Sequence, residues 1–190
     1  MNGFRKEFST LTLVLIPVAI AINIAVGQVA TRVTWLYLDS IGTVLVGVLV
    51  GPWAGAVTGF LANIVWTAAG LWTPAFAFAG VAAVIGALAG VFGKAGWVKE
   101  WPKAALAGLI TGLVAAVVSA PIAAYVFGGV TGAGTDAVVA AFRAAGLDVL
   151  GANVAQGVAS DPIDKIATYL IVWAVLKGLP ERFKVRFSED

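Results

Sequence analysis

Long apolar stretches, separated by short polar or glycine- and proline-containing breaks, dominate this chain. The stretch 11–29 contains no charged residue, and neither does the much longer stretch 40–93. A helix that crosses a bilayer needs roughly 20 apolar residues. The longer stretch therefore predicts several membrane-spanning helices joined by very short turns.

The breaks divide the chain into six predicted membrane-spanning helices, and all six belong to one membrane domain, residues 1–190. They cover residues 9–29, 38–50, 54–69, 75–92, 104–127 and 162–179. The second and third are short, which favours helices that are tilted or packed away from lipid. Recurrent glycines in the second to fourth helices predict close helix packing. The predicted fold is an all-α integral membrane protein with short loops and one long connection.

That long connection, residues 128–161, joins the fifth and sixth predicted helices. It begins with a glycine-rich turn at 128–134, and residues 137–145 predict a short amphipathic helix. Pro162 fits the first turn of the last helix, where its missing N–H costs nothing, and Asp161 fits the cap position. A long connection with structure of its own is often functional, for example as a lid.

The basic residues predict how the protein is oriented in the membrane. With six spans and a cytoplasmic N-terminus, only Arg32, Arg143 and Lys165 of the 12 Lys and Arg residues lie on the outer side. This distribution agrees with the excess of Lys and Arg in cytoplasmic loops. We therefore expect a multi-pass protein of the cell membrane with both termini cytoplasmic and the long connection extracellular.

Composition narrows the classes of function. Hydrophobic residues make up 61% of the chain and charged residues 12%, whereas soluble domains usually carry about 25% charged residues. The chain has no cysteine and no histidine, so it lacks thiolate ligands and the commonest metal ligand and general base. We predict no metal, no cofactor and no nucleic-acid surface. No P-loop, serine elbow or pair of facing carboxylates points to an enzyme.

Polar side chains within or beside the predicted spans are the candidate ligand-binding groups. Lys165 needs a partner, either Asp39 or Asp164 or an anionic part of a ligand, because ionisable groups in a membrane are paired or functional. Asp39 fits a helix N-terminus equally well, with Arg32 as a possible partner. Asn63 is explained by bonding between helices or by a ligand. The polar candidates are Arg32, Asp39, Asn63, Asn153, Gln156, Asp164 and Lys165.

Four aromatic residues, Trp35, Tyr37, Trp66 and Trp72, cluster towards the predicted outer ends of the first four helices. An aromatic belt at the membrane interface explains them, and so does stacking on a flat ligand with a ring. We predict a pocket that opens outward between the last three helices. The 32–37 loop and the 128–161 connection would cover it.

A resemblance to a known family is carried by four blocks of sequence, YLDSIGT at 37–43, GPWAGA at 51–56, GFLAN at 59–63 and DPIDK at 161–165. They are similar to blocks in the S components, the substrate-binding membrane subunits of energy-coupling factor (ECF) transporters. The likeness extends over about residues 13–180. It includes the length, the six spans, the cytoplasmic termini and the short second and third helices.

The resemblance implies a subunit that binds a small water-soluble vitamin or related micronutrient for uptake. It also implies docking on a transmembrane T component that is driven by two ABC-type ATPases, which would hydrolyse the ATP. T components contact an Ala-x-x-x-Ala pattern in the first helix, and Ala21 and Ala25 match that pattern. The resemblance does not identify the substrate. The alternative is a structural or assembly protein of the membrane without a small-molecule ligand, and an intramembrane enzyme ranks third.

Overall fold

The computed structural model describes residues 7–33 and 36–180, without the side chains of residues 32 and 33. The described residues form seven α-helices and two short 3₁₀ turns, and they contain no strand. The α-helices are α1 (Thr10–Val33), α2 (Ile41–Leu49), α3 (Pro52–Ala68), α4 (Ala79–Lys94), α5 (Trp101–Phe127), α6 (Asp136–Ala144) and α7 (Val149–Gly178). The 3₁₀ turns are Thr73–Phe78 and Trp97–Lys99. The all-α prediction is confirmed for this part of the chain.

Three helical segments among the described residues are long and apolar enough to cross a membrane. They are Thr10–Thr31, Thr73–Lys94 and Trp101–Phe127, and they coincide with the first, fourth and fifth predicted spans. Helices α2 and α3 are only 9 and 17 residues long. The structure therefore supports a membrane protein, and the count of six crossings stays a prediction.

The last helix differs from its prediction. It begins at Val149, where the side chain of Asp148 accepts a hydrogen bond of 2.8 Å from the backbone N–H of Gly151. Pro162 lies inside α7, so the placement of Pro162 in a first helical turn with Asp161 as its cap is wrong. A proline inside a helix forfeits one backbone hydrogen bond. Close packing against α5 offsets that loss.

Glycines permit this packing. A Cβ atom on Gly112 of α5 would lie 2.5 Å from the Cα atom of Pro162. Likewise, Gly55 of α3 and Gly86 of α4 face each other so closely that a Cβ on either would clash with the backbone of the other. The predicted role of glycines in helix packing is confirmed at Gly55 and Gly86, since backbones approach so closely only where side chains are absent.

One end of the helix bundle is tied together by Glu7. Its carboxylate accepts hydrogen bonds from the backbone N–H groups of Trp53 and Ala54, at 2.8 and 3.0 Å, and pairs with Lys94 at 2.7 Å. An anion is favoured there because the first N–H groups of a helix have no helical partner. This end, which we call the basic end, also contains Lys99, whose backbone carbonyl accepts a hydrogen bond from Trp173 Nε1. The opposite end contains a cavity.

Candidate functional site

The cavity has a volume of about 140 Å³ and lies where α2 and α7 begin and α3 and α5 end. Its walls come from α3, α4, α5 and α7, with Asn23 of α1 and Thr43 of α2 at the base. Residues 128–144, the loop that follows α5 together with α6, cover it, and we call this segment the lid. The lining combines apolar side chains with polar groups that face one another, as in most small-molecule sites.

Most of the predicted ligand-binding residues line this cavity. These are Tyr37, Asp39, Asn63, Trp72, Asn153, Gln156 and Lys165. Trp66 and Asp164 are buried near it but do not line it. The side chain of Arg32 and the whole of Trp35 lie outside the described residues. The ligand contacts of all these residues stay predictions.

Lys165 is the centre of the polar cluster. Its side chain is 5% exposed, and its Nζ lies 2.5 Å from Asp164 Oδ2, 2.8 Å from Ser40 Oγ and 3.7 Å from Asp39 Oδ1. The predicted pairing of Lys165 is thus confirmed with both carboxylates. A buried ammonium requires such partners, because an unpaired charge in an apolar interior is very costly.

Asp164 fixes the 36–40 loop onto α7. Its Oδ1 accepts hydrogen bonds from the backbone N–H groups of Tyr37 and Leu38, at 2.9 and 2.8 Å. Leu38 has a φ of +47°, a conformation that costs energy in residues with a side chain. The two hydrogen bonds to a buried carboxylate offset this cost. They hold Asp39, the next residue, at the wall of the cavity.

Asp39 and Asp161 present carboxylates to the cavity. The side chain of Asp39 is 39% exposed, and its Oδ1 lies 3.7 Å from Lys165 Nζ. Asp161 accepts a hydrogen bond of 3.1 Å from Ser160 Oγ, which itself accepts one of 2.6 Å from Gln156 Nε2. Both carboxylates keep oxygen lone pairs for a further donor, since each carboxylate accepts about four hydrogen bonds.

Buried amides connect the elements around the cavity. Asn63 Nδ2 donates to the carbonyl of Ala75 at 3.1 Å and joins α3 to the following 3₁₀ turn. Asn23 was missed as a cavity residue. Its Oδ1 accepts from the backbone N–H of Gly42 at 2.7 Å, and its Nδ2 donates to Thr43 Oγ1 at 2.8 Å. Asn23 therefore caps α2, for which Ser40 supplies no side-chain capping bond.

The lid is held by two side chains from the body of the protein. Tyr37 Oη and Thr135 Oγ1 are 2.7 Å apart, and Trp72 Nε1 donates to the carbonyl of Thr131 at 2.9 Å. Burial raises the pKa of Tyr37 to about 12, so its phenol stays protonated near neutral pH. Asp136 shapes the lid from within, because its carboxylate accepts from the backbone N–H groups of Thr131 and Gly132.

An aromatic stack forms the apolar side of the cavity. Phe78 lies between Trp72, at 5.6 Å between ring centroids, and Phe127, at 5.8 Å, with interplanar angles of 12° and 14°. Only Trp72 of this group was predicted as a site residue. Phe78 gave no distinguishing signal, since an apolar side chain is expected at any position of a predicted span.

Comparison of the chain with protein-family models, with curated proteins and with solved structures gave no match. The relation to ECF S components is therefore a proposal. Its basis is the four sequence blocks and the place that they occupy in the fold.

Proposed function

We propose that this chain is the substrate-binding subunit of an ECF-type importer for a small water-soluble vitamin or related micronutrient. The observation that carries the proposal is a covered cavity of about 140 Å³ with polar groups on its wall, in a chain of membrane-type composition. A protein whose polar residues only held helices together would have no need for such a cavity.

The sequence blocks that resemble S components contribute much of this cavity. The 37–43 block supplies Tyr37 and Asp39, the 59–63 block supplies Asn63, and the 161–165 block supplies Asp161 and Lys165. These blocks are far apart in the sequence. Their meeting at one cavity is expected of a binding protein, because ligand contacts converge from several elements.

The proposed orientation places the cavity on the extracellular side. The basic end, with Glu7, Lys94 and Lys99, would face the cytoplasm, as the distribution of basic residues favours. Substrate would then enter beneath the lid from outside. Release into the cell would depend on a T component and two ABC-type ATPases.

The proposed docking site for the T component includes Ala21 and Ala25 of α1. Both are exposed in the isolated chain. They lie four residues apart and hence on one face of the helix. Small residues on an exposed helix face allow the backbone of a partner helix to approach closely.

Native mass spectrometry tests the proposed function. The purified full chain is incubated with a pool of water-soluble metabolites, and we expect one bound compound per chain. Ala123→Phe would fill the cavity, since Ala123 lines it, and should abolish the adduct. Val126→Phe, at a residue of α5 that is 64% exposed, is the matched control and should retain it. The proposal fails if no compound binds or if Ala123→Phe leaves the adduct unchanged.

A further inference from the structure

The charge on the wall of the cavity is unequal. Among the described residues, three carboxylates line it, those of Asp39, Asp136 and Asp161, and Lys165 is the one cation. The carboxylate of Asp136 is engaged within the lid, where it accepts hydrogen bonds from the backbone N–H groups of Thr131 and Gly132. Asp39 and Asp161 are therefore the acidic groups with lone pairs free to receive a ligand.

Lys165 already has protein partners, and its charge is compensated by carboxylates. Its Nζ donates hydrogen bonds to Asp164 Oδ2 and Ser40 Oγ, and Asp39 Oδ1 lies 3.7 Å away as a second ion-pair partner. Asp164 lies behind Lys165, is fully buried, and neutralises its charge. A ligand anion that contacted Lys165 would also stand beside the carboxylates of Asp39 and Asp161. The charges of the described lining residues therefore oppose an anion.

The remaining features of the cavity define the ligand further. Trp72 and Phe78, two members of the aromatic stack, also line the cavity and give it an apolar side. Aromatic side chains pack favourably against planar rings in offset or edge-to-face arrangements. A volume of about 140 Å³ suits a single ring, since an engineered cavity of about 150 Å³ holds benzene.

We propose that the cavity binds a small planar compound with one ring that carries a cationic or amine-type donor group. The donors would contact Asp39 and Asp161, and the ring would pack against the apolar side that Trp72 and Phe78 form. This inference rests on the proposed function, because it specifies the class of substrate for the same cavity. It decides against one of the alternatives that the sequence left open, in which Lys165 pairs with an anionic part of a ligand.

The test uses three probes of nearly the same shape and different charge. Benzamidine is a cation, benzamide is neutral and benzoate is an anion, and each is titrated calorimetrically into the purified full chain. We expect the affinity to decrease from benzamidine to benzamide, with no detectable binding of benzoate. Tighter binding of benzoate than of benzamidine would overturn the inference, and so would the absence of binding by all three.

Charge-removing variants locate the interaction. Asp39→Asn and Asp161→Asn should each weaken benzamidine about tenfold or more and benzamide much less, because hydrogen bonds to charged groups are the stronger ones. Asp148→Asn is the matched control, since Asp148 is exposed, lies off the cavity and keeps a good helix cap as Asn. Equal losses of both probes in the two cavity variants, or none, would contradict the assignment.

The metabolite that binds in the native mass spectrometry experiment separates the two proposals. A bound compound with an amine or amidine group supports both of them. A bound carboxylate or phosphate without such a group overturns the inference and leaves the proposed function in place. Binding of benzamidine at Asp39 and Asp161 without any bound metabolite supports the chemistry of the cavity and counts against the importer.

Discussion

Removing one member of the buried ion pair between Lys165 and Asp164 should destabilise the protein strongly. Asp164 is fully buried and Lys165 is 5% exposed, with 2.5 Å between their charged atoms. Breaking such a pair leaves one uncompensated buried charge and typically costs about 3–5 kcal/mol. Because Ser40 and Asp39 would still contact the ammonium, we expect Asp164→Asn to cost about 3 kcal/mol, at the lower end of that range.

A variant that replaces both Asp164 and Lys165 tests whether the cost comes from an unpaired buried charge. Lys165→Met alone should also cost about 3 kcal/mol, since Asp164 would keep two backbone donors but lose its counter-ion. Replacing both members removes both charges, and a complete replacement of a buried pair is often nearly neutral. We therefore expect Asp164→Asn combined with Lys165→Met to cost at least about 2 kcal/mol less than the sum of the single changes.

Unfolding in mixed micelles with an increasing fraction of SDS, followed by the fluorescence of the seven tryptophans, measures these free energies. Lys103→Met is the matched control. Lys103 pairs with Glu100 at 2.9 Å, but its side chain is 53% exposed, and exposed pairs contribute about 0–1 kcal/mol. The reasoning is refuted if Lys165→Met costs no more than Lys103→Met or if the double variant costs the full sum.

Three further predictions follow from the proposed arrangement. In this cysteine-free chain, Ala144→Cys and Glu100→Cys should react with an impermeant thiol reagent from opposite sides of the membrane, and reaction of both from outside would exclude the six-span topology. Ala21→Leu or Ala25→Leu should prevent assembly with a T component, measured by copurification, and leave ligand affinity unchanged; assembly of both variants would place the docking surface elsewhere. Tyr37→Phe should speed ligand dissociation about two- to tenfold, as the loss of one hydrogen bond to the lid predicts; an unchanged dissociation rate would show that this bond does not restrain the lid.

The long apolar helices could be predicted because length and composition alone define them. Three of the predicted spans coincide with segments that can cross a membrane, and α6 lies within one residue of its predicted bounds because its amphipathic pattern is local. The beginning of α7 could not be found in this way. Asp161 and Pro162 imitate a helix N-terminus, and only the contact of Pro162 with Gly112, a residue far away in the sequence, explains why the helix continues through them.

The polar side chains divide in the same way, into those with a local signal in the sequence and those without one. Asp39, Asn63 and Lys165 could be singled out because a polar group inside an apolar segment needs an explanation. Glu7 and Thr135 could not, since both lie in stretches of ordinary polar composition. Their partners are distant in sequence: the backbone N–H of Trp53 is 46 residues from Glu7, and the phenol of Tyr37 is 98 residues from Thr135. Such contacts arise only from the tertiary fold.

The 36–40 loop links the polar wall of the cavity to its lid. Asp164 fixes the loop at the backbone of Tyr37 and Leu38, Asp39 faces the cavity, and the phenol of Tyr37 reaches Thr135 in the lid. A ligand that contacts Asp39 therefore acts two residues from a lid contact. The Tyr37 hydrogen bond can transmit no more than its own net worth, about 0.5–1.5 kcal/mol, which is at most about a tenfold shift between open and closed forms. Any larger shift would have to come from direct contacts between the ligand and the lid, which the cavity allows because Ala133, Thr135 and Val139 form part of its lining.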